Sequence, residues 1–192
     1  MPSPVGHVLA GVTVAWAAEA LAGRQPREGA PALASPRLPA ITPLVAACAA
    51  LALAPDLDIL LAHHRAYSHS IGAAAAVGLI CGAIARARGG RGLAAGLACG
   101  ATIWSHALLD WLGRDSSTPI GLMALWPLSS SYVYSGVELF ADISRRYWKP
   151  EEFFLKNAAA VARELLLLAP PAARAWWARQ RSLARHRNQP GA

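Results

Sequence analysis

Long apolar runs separated by short polar or basic segments dominate this sequence. Four runs stand out and a fifth is weaker; they are Val5–Ala22, Leu44–Leu53, Ile71–Ala85, Gly92–Leu112 and Phe153–Ala169. A transmembrane helix usually needs about 20 apolar residues, with a lower limit of about 17. No useful alternation of apolar and polar residues appears. The pattern therefore predicts an all-α, multi-pass membrane bundle of about four or five helices.

The second, third and fifth runs each differ from a simple membrane-spanning helix. The second reaches a membrane's width only if the chain through Ala62, with its aspartates, is included, and the third is short. The fifth carries Lys156, Arg163 and Glu164, which favours a helix lying at the interface. We therefore expect a membrane-embedded domain over residues 1–148, followed by an amphipathic helix and a basic tail over 149–192.

The distribution of charge predicts an orientation. Hydrophobic residues make up 55% of the chain and the net charge is +7. The arginines gather in segments 24–37 and 86–91 and in the tail 174–187, as in cytoplasmic loops under the positive-inside rule. They are not interleaved with aromatic residues, so nucleic-acid binding is not expected. The three cysteines form no CxxC pair, which indicates buried, unpaired thiols.

Histidines and aspartates mark the ends of the apolar runs. With the basic segments in the cytoplasm, helices 1 and 3 begin on the opposite side of the membrane, and helices 2 and 4 end there. The charge rule does not use the positions of these histidines and aspartates, yet it places all of them at the same membrane face. This agreement predicts one polar metal site there. The candidates are His7, Asp56, Asp58, His64, His69, His106 and Asp110.

Taken singly, each of these motifs also has a simpler interpretation. His106 and Asp110 share one helix face, where they suit a metal or a mutual hydrogen bond. Asp56 and Asp58 also suit a solvated helix end, and the histidines around His64 suit a surface loop. Together, imidazoles and carboxylates favour Zn²⁺, with Mn²⁺ or Fe²⁺ as alternatives, over Ca²⁺ or Mg²⁺. Their number indicates one or two ions, or one ion and a general base.

The roles we expect follow from this chemistry. A metal lowers the pKa of bound water, so one aspartate, Asp58, is expected to orient or deprotonate the attacking water. Arg65 and His64 would stabilise an anionic transition state, and Trp126 would form a lip facing lipid headgroups. The expected metal ligands are His7, Asp56, Asp58, His69, His106 and Asp110. Ser68, Ser70 and Ser105 would support them by hydrogen bonds, and Ser68 or Ser70 would cap the third helix.

The motifs together resemble one family, the YdjM-like bacterial inner-membrane metal-dependent hydrolases. The resemblance runs in order from residue 6 to about residue 128, and the tail beyond Tyr147 lies outside it. The matching motifs are Gly6-His7, Pro55-Asp56-Leu57-Asp58, His64-Arg65, Ser68-His69-Ser70, Ser105-His106, Leu109-Asp110, Pro119-Ile120-Gly121 and Leu125-Trp126-Pro127. The resemblance implies a multi-pass protein of the bacterial cytoplasmic membrane with a metal centre.

Two functions remain open from the sequence. The first is a membrane-bound metal-dependent hydrolase acting on a phosphoester or lipid-like substrate, with membrane lipids as its surroundings. The second is a non-catalytic membrane protein that binds metal for structure, sensing or transport. Transporters place ionisable residues near the middle of the bilayer, whereas here they lie at helix ends, which favours the hydrolase.

Overall fold

A computed structural model describes residues 1–22, 41–61, 65–116 and 118–187. Five α-helices follow one another in the chain: α1 (Pro4–Ala22), α2 (Pro43–Leu51), α3 (Ile71–Ala87), α4 (Gly92–Leu112) and α5 (Pro150–Arg187). Two short 3-10 helices, Pro55–Leu61 and Tyr67–His69, connect α2 to α3. The described residues contain isolated β-bridges but no strand, so the predicted all-α class is confirmed.

Among the described residues, three segments are long and apolar enough to cross a membrane: Pro4–Ala22, Pro43–Leu60 and Gly92–Leu112. The second combines α2 with the turn and 3-10 helix that follow it. Helix α3 is equally apolar but has 17 residues, which is at the lower limit for a span. The bounds of α1, α3 and α4 follow the first, third and fourth apolar runs closely, because each of these runs is apolar throughout its length.

The core lies where α1, α2 and α4 meet. Ala15 of α1 packs there against Val45 and Cys48 of α2 and against Ala98 and Cys99 of α4. Cys48 and Cys99 are free thiols buried in this cluster, as predicted. Small side chains at the centre let the three helices approach closely. The packing of α1, α2 and α4 brings one end of each helix together at the same side of the bundle.

Helices α3 and α4 pack backbone against backbone through glycines spaced four residues apart. A Cβ added at Gly96 would lie 2.7 Å from the carbonyl oxygen of Gly78, and one added at Gly78 would lie 2.9 Å from that of Gly96. Gly82 and Gly92 face each other in the same way. Such small-residue contacts are how helices associate in lipid, where the hydrophobic effect between them is absent.

Helix α5 runs parallel to α1 in a constant register. Glu164 accepts hydrogen bonds from the backbone and side chain of Ser3 at the start of α1. Near the other end of α1, Arg179 pairs with Glu19, and Trp176 packs on Trp16 at 4.9 Å between ring centroids. The contacts span about 15 residues, or roughly 22 Å of helix. The basic end of α5 therefore lies at the end of the bundle that is opposite to the start of α1.

Helix α5 extends beyond the fifth apolar run, Phe153–Ala169, because it continues through Pro170 and Pro171 to Arg187. Both prolines are exposed, whereas Ala172 and Ala175 are buried against the bundle. A proline removes a hydrogen bond and crowds the preceding turn, and packing against α1 holds the helix together there. Helix propensity alone does not predict a helix that continues through two prolines.

The glycine contact between α3 and α4 gives a stability prediction. Gly96→Leu should force the two backbones apart and lower the free energy of unfolding in detergent by about 1–3 kcal/mol, a usual cost of overpacking. Ala76→Leu, at an exposed position of α3, is the matched control. Equal thermal unfolding temperatures for the two variants would show that this close approach contributes nothing.

Candidate metal centre

The ends of four helices converge to form a polar cluster. His7 lies in the first turn of α1, Asp56 follows α2, and His69 immediately precedes α3. His106 and Asp110 occupy the last two turns of α4, one turn apart on the same face. These segments therefore lie together at one end of the bundle, as the sequence predicts.

Four of these side chains form a group that fits a metal ion. One ligand atom each from Asp56, His69, His106 and Asp110 lies within 4.8 Å of the other three. The Nε2 atom of His69 is 3.1 Å from Nε2 of His106, 3.2 Å from Oδ2 of Asp110 and 3.8 Å from Oδ1 of Asp56. The Nε2 atom of His106 is 3.4 Å from the same Asp110 oxygen and 3.6 Å from the same Asp56 oxygen.

These separations match the edges of a metal-ligand tetrahedron. Ligands about 2.0–2.2 Å from a tetrahedral ion lie roughly 3.3–3.6 Å apart. The five separations given above, 3.1–3.8 Å, scatter around that range. The group therefore has the size of a four-ligand site, and its two imidazoles and two carboxylates suit Zn²⁺ or a similar ion.

The rear nitrogens of both rings face hydrogen-bond acceptors. The Nδ1 atom of His106 lies 2.7 Å from the carbonyl oxygen of Ala52, and that of His69 lies 3.1 Å from Oδ2 of Asp58. A proton on each Nδ1 satisfies these acceptors and leaves both Nε2 lone pairs facing the carboxylates. Metal-binding histidines almost always have such a rear partner, which sets the tautomer and the ring orientation.

The group is built to hold positive charge. Burial alone lowers the pKa of His69, but the carboxylates of Asp110, Asp56 and Asp58 around its ring outweigh burial and raise that pKa to about 10. Within the described residues, both oxygens of Asp110 and Oδ1 of Asp56 accept no hydrogen bond, and they face imidazole nitrogens at 3.2–3.8 Å. Buried carboxylate oxygens without a partner are costly, and a divalent cation would satisfy them.

Asp58 lies behind His69 and outside the group of four. Its Oδ2 atom accepts hydrogen bonds from the backbone N–H of Arg65 at 2.9 Å and from the Ser68 hydroxyl at 2.5 Å. The sequence predicts Asp58 as a ligand and as the group that activates water. The structure instead places its Oδ2 atom where it orients the His69 ring.

Arg65 is buried in an ion pair with Asp115, a residue that sequence reasoning missed. Asp115 also accepts a hydrogen bond from the backbone N–H of Gly121 at 2.7 Å. Arg65 has a φ of 65°, which is uncommon outside glycine. The predicted role of Arg65 at the transition state is untested, and its visible contacts hold the loop that carries Ser68 and His69. A single aspartate in a polar loop offers no sequence signal of such a partner.

The loop containing Trp126 braces the start of α3. The first two N–H groups of α3, at Ile71 and Gly72, donate to the carbonyl oxygens of Ala124 and Trp126, each at 2.9 Å. A Cβ at Gly72 would lie 2.8 Å from Trp126. Trp126 also packs edge-on against Tyr67, with centroids 5.3 Å apart. The predicted lip residue thus positions the segment that ends in His69.

The three predicted supporting serines differ in their contacts. Ser68 bonds Asp58 and lies 2.9 Å from Nδ1 of His69. Ser70 caps α3 by accepting from the N–H of Ala73 at 3.1 Å, which confirms one of the two predicted caps. Ser105 donates to the carbonyl oxygen of Thr102 in its own helix. His64 lies outside the described residues.

The fold and the cluster define an all-helical membrane protein with a candidate metal centre at one end of its bundle. The chain matches the family model described as YdjM inner membrane protein over residues 1–170. It therefore belongs to the YdjM inner membrane protein family, as the motifs predict, and the match extends beyond Tyr147 into α5. No match was found among curated proteins or among solved structures.

The geometry predicts that metal binding depends on the group as a unit. Detergent-purified protein should hold a transition metal, and both His106→Ala and Asp56→Ala should lose it, because each removes one of four ligands. Elemental analysis measures the content, with Ser105→Ala as the control. Metal retained in both variants, or a folded wild type unable to take up added zinc, would rule out this centre.

The contact behind His69 gives a second prediction. Asp58→Asn should keep the ligands but weaken zinc affinity about 10–100-fold, the usual cost of losing an outer-shell partner. Competition with a chelator of known affinity measures the change. An unchanged affinity would show that Asp58 does not orient the ring, and complete loss of metal would make it a direct ligand.

Proposed function

We propose that this protein is a membrane-bound, metal-dependent hydrolase that acts on a phosphoester or lipid-like substrate. The observation that carries the proposal is the convergence of four electron-pair donors at one end of an apolar bundle, where buried oxygens of Asp56 and Asp110 accept no hydrogen bond within the described residues. A site at a helix end, rather than near mid-membrane, favours access by water and by lipid headgroups.

Asp56 is the point of access to the group. Its side chain is 31% exposed, whereas the side chains of His69, His106 and Asp110 are at most 1% exposed. Water and substrate therefore approach from the Asp56 side. A carboxylate at an exposed edge can shift its coordination and make room for an incoming oxygen.

The residues of the chain have distinct proposed roles. When bound, a divalent ion supplies Lewis acidity that acidifies water and polarises a phosphoryl oxygen. His69, His106, Asp110 and Asp56 hold that ion. Asp58 and the Ala52 carbonyl orient the two imidazoles, and the Trp126 loop keeps the start of α3 in place. Zinc is the preferred ion, with manganese or iron as alternatives.

A structural metal site is the second candidate, and one observation favours it. Two histidines and two aspartates already supply four ligands, the number that closes a structural zinc site. The two functions differ in whether an outside ligand reaches the metal. Cobalt-substituted protein therefore discriminates, since phosphate should change its visible absorption only at an open site.

We also propose that the site faces away from the cytoplasm in the bacterial inner membrane. The family is one of inner membrane proteins. The Arg91 side chain bonds the end of α1, and Arg179 pairs with Glu19 near that end. These basic segments lie opposite the cluster, which supports a cytoplasmic location for them under the positive-inside rule.

Hydrolysis is tested directly on metal-loaded protein in detergent. The wild type should release product from a phosphodiester or from phospholipid in mixed micelles, whereas His106→Ala and Asp56→Ala should fall to background and Ser105→Ala should retain activity. Two results together would contradict the hydrolase and favour a structural metal site. The metal-loaded wild type would cleave none of these substrates, and phosphate would not change the absorption of the cobalt-substituted protein.

A further inference from the structure

The two oxygens of Asp110 face different histidines. Oδ2 faces the Nε2 atoms of His69 and His106, within the group of four. Oδ1 faces the Nε2 atom of His7 at 3.5 Å. One carboxylate is therefore positioned between two sets of imidazole donors.

His7 is buried without a hydrogen-bond partner. It is 0% exposed, and neither ring nitrogen has a hydrogen-bond partner within the described residues. A buried imidazole left in this state is costly, because each nitrogen loses its bond to water. Its burial and its free lone pair therefore favour a ligand bound to Nε2.

His7 does not belong to the group of four. That group consists of Asp56, His69, His106 and Asp110. Yet its 3.5 Å separation from Oδ1 of Asp110 is the spacing of two ligands on one tetrahedral ion. The position beside His7 is thus adjacent to the first ion's site and separate from it.

The stacking of two rings fixes the distance between these positions. The His7 and His106 rings are nearly parallel, at 17°, with centroids 3.8 Å apart. Each directs Nε2 to a different oxygen of Asp110. In two-metal sites the ions lie about 3.5–4 Å apart, which matches the spacing of the stacked rings.

We infer that the centre binds two divalent cations bridged by Asp110, the second held by His7 Nε2 and Asp110 Oδ1. The inference rests on the metal-binding part of the proposed function and not on hydrolysis. With two protein ligands named, the second ion takes its remaining ligands from water or substrate. It is therefore the weaker and more exchangeable ion, suited to an anionic oxygen such as that of a phosphoryl group.

The test is metal stoichiometry with Mn²⁺ as the probe. Full-length, metal-free protein in detergent is dialysed against Mn²⁺, and its content is measured by elemental analysis. We expect two equivalents in the wild type and one in His7→Ala, with two in Ser105→Ala. Electron paramagnetic resonance should show a spin-coupled pair in the wild type and isolated Mn²⁺ in His7→Ala.

Several outcomes would overturn the inference. These are one equivalent in the wild type, two equivalents in His7→Ala, or loss of both ions from a folded His7→Ala protein, which would make His7 a ligand of one shared site. If His7→Ala does not fold, His7→Asn, which keeps a polar side chain, takes its place. Two bound ions without phosphoester hydrolysis would support this inference and contradict the proposed hydrolase function. Hydrolysis by protein that binds one ion would support the hydrolase function and contradict this inference.

Discussion

The structure depends on the cost of burying carboxylates and imidazoles at the ends of apolar helices. Asp110, His106, His69 and His7 are almost wholly inaccessible to solvent. Their facing atoms are electron-pair donors, so without a cation they would repel one another in a medium that screens charge weakly. The helices can meet in this way only if positive charge occupies the space between them. Protons on the imidazoles, or a cation that Asp56, His69, His106 and Asp110 could hold, supply that charge.

The rest of the bundle keeps these donors in register. Glycine contacts bring α3 against α4, and the Trp126 loop holds the N-terminal N–H groups of α3. Helix α5 fixes α1 at both ends, through Glu164 and through Arg179, which are both fully buried. A Cβ at Gly6 would lie 2.7 Å from the Glu164 carboxylate. The glycine before His7 thus allows α5 to approach the helix that carries this histidine.

Much of this arrangement was predictable from local sequence. The helix class, the bounds of α4 and the convergence of Asp56, His69, His106 and Asp110 follow from apolar runs and the charge of their connections. The position of Asp58 behind His69 was not predictable, because a carboxylate two residues from Asp56 serves equally well as ligand or as support. The Arg65–Asp115 pair and the length of α5 depend on tertiary contacts between distant residues. Glu164, with Lys156 and Arg163, indicated a helix at the interface, whereas the structure buries Glu164 against Ser3.

The register of α1 against α5 has a consequence for how the protein is made. Ser3 and Glu164 are 161 residues apart in sequence, yet their contact secures the first turn of α1, where His7 lies. During synthesis, α1 is made long before α5, its partner helix. Glu19 of α1 is likewise made long before Arg179, with which it pairs. The earliest helix is therefore also among the last to be fixed. The end of the bundle that carries the candidate metal centre therefore needs nearly the whole chain before all of its contacts can form.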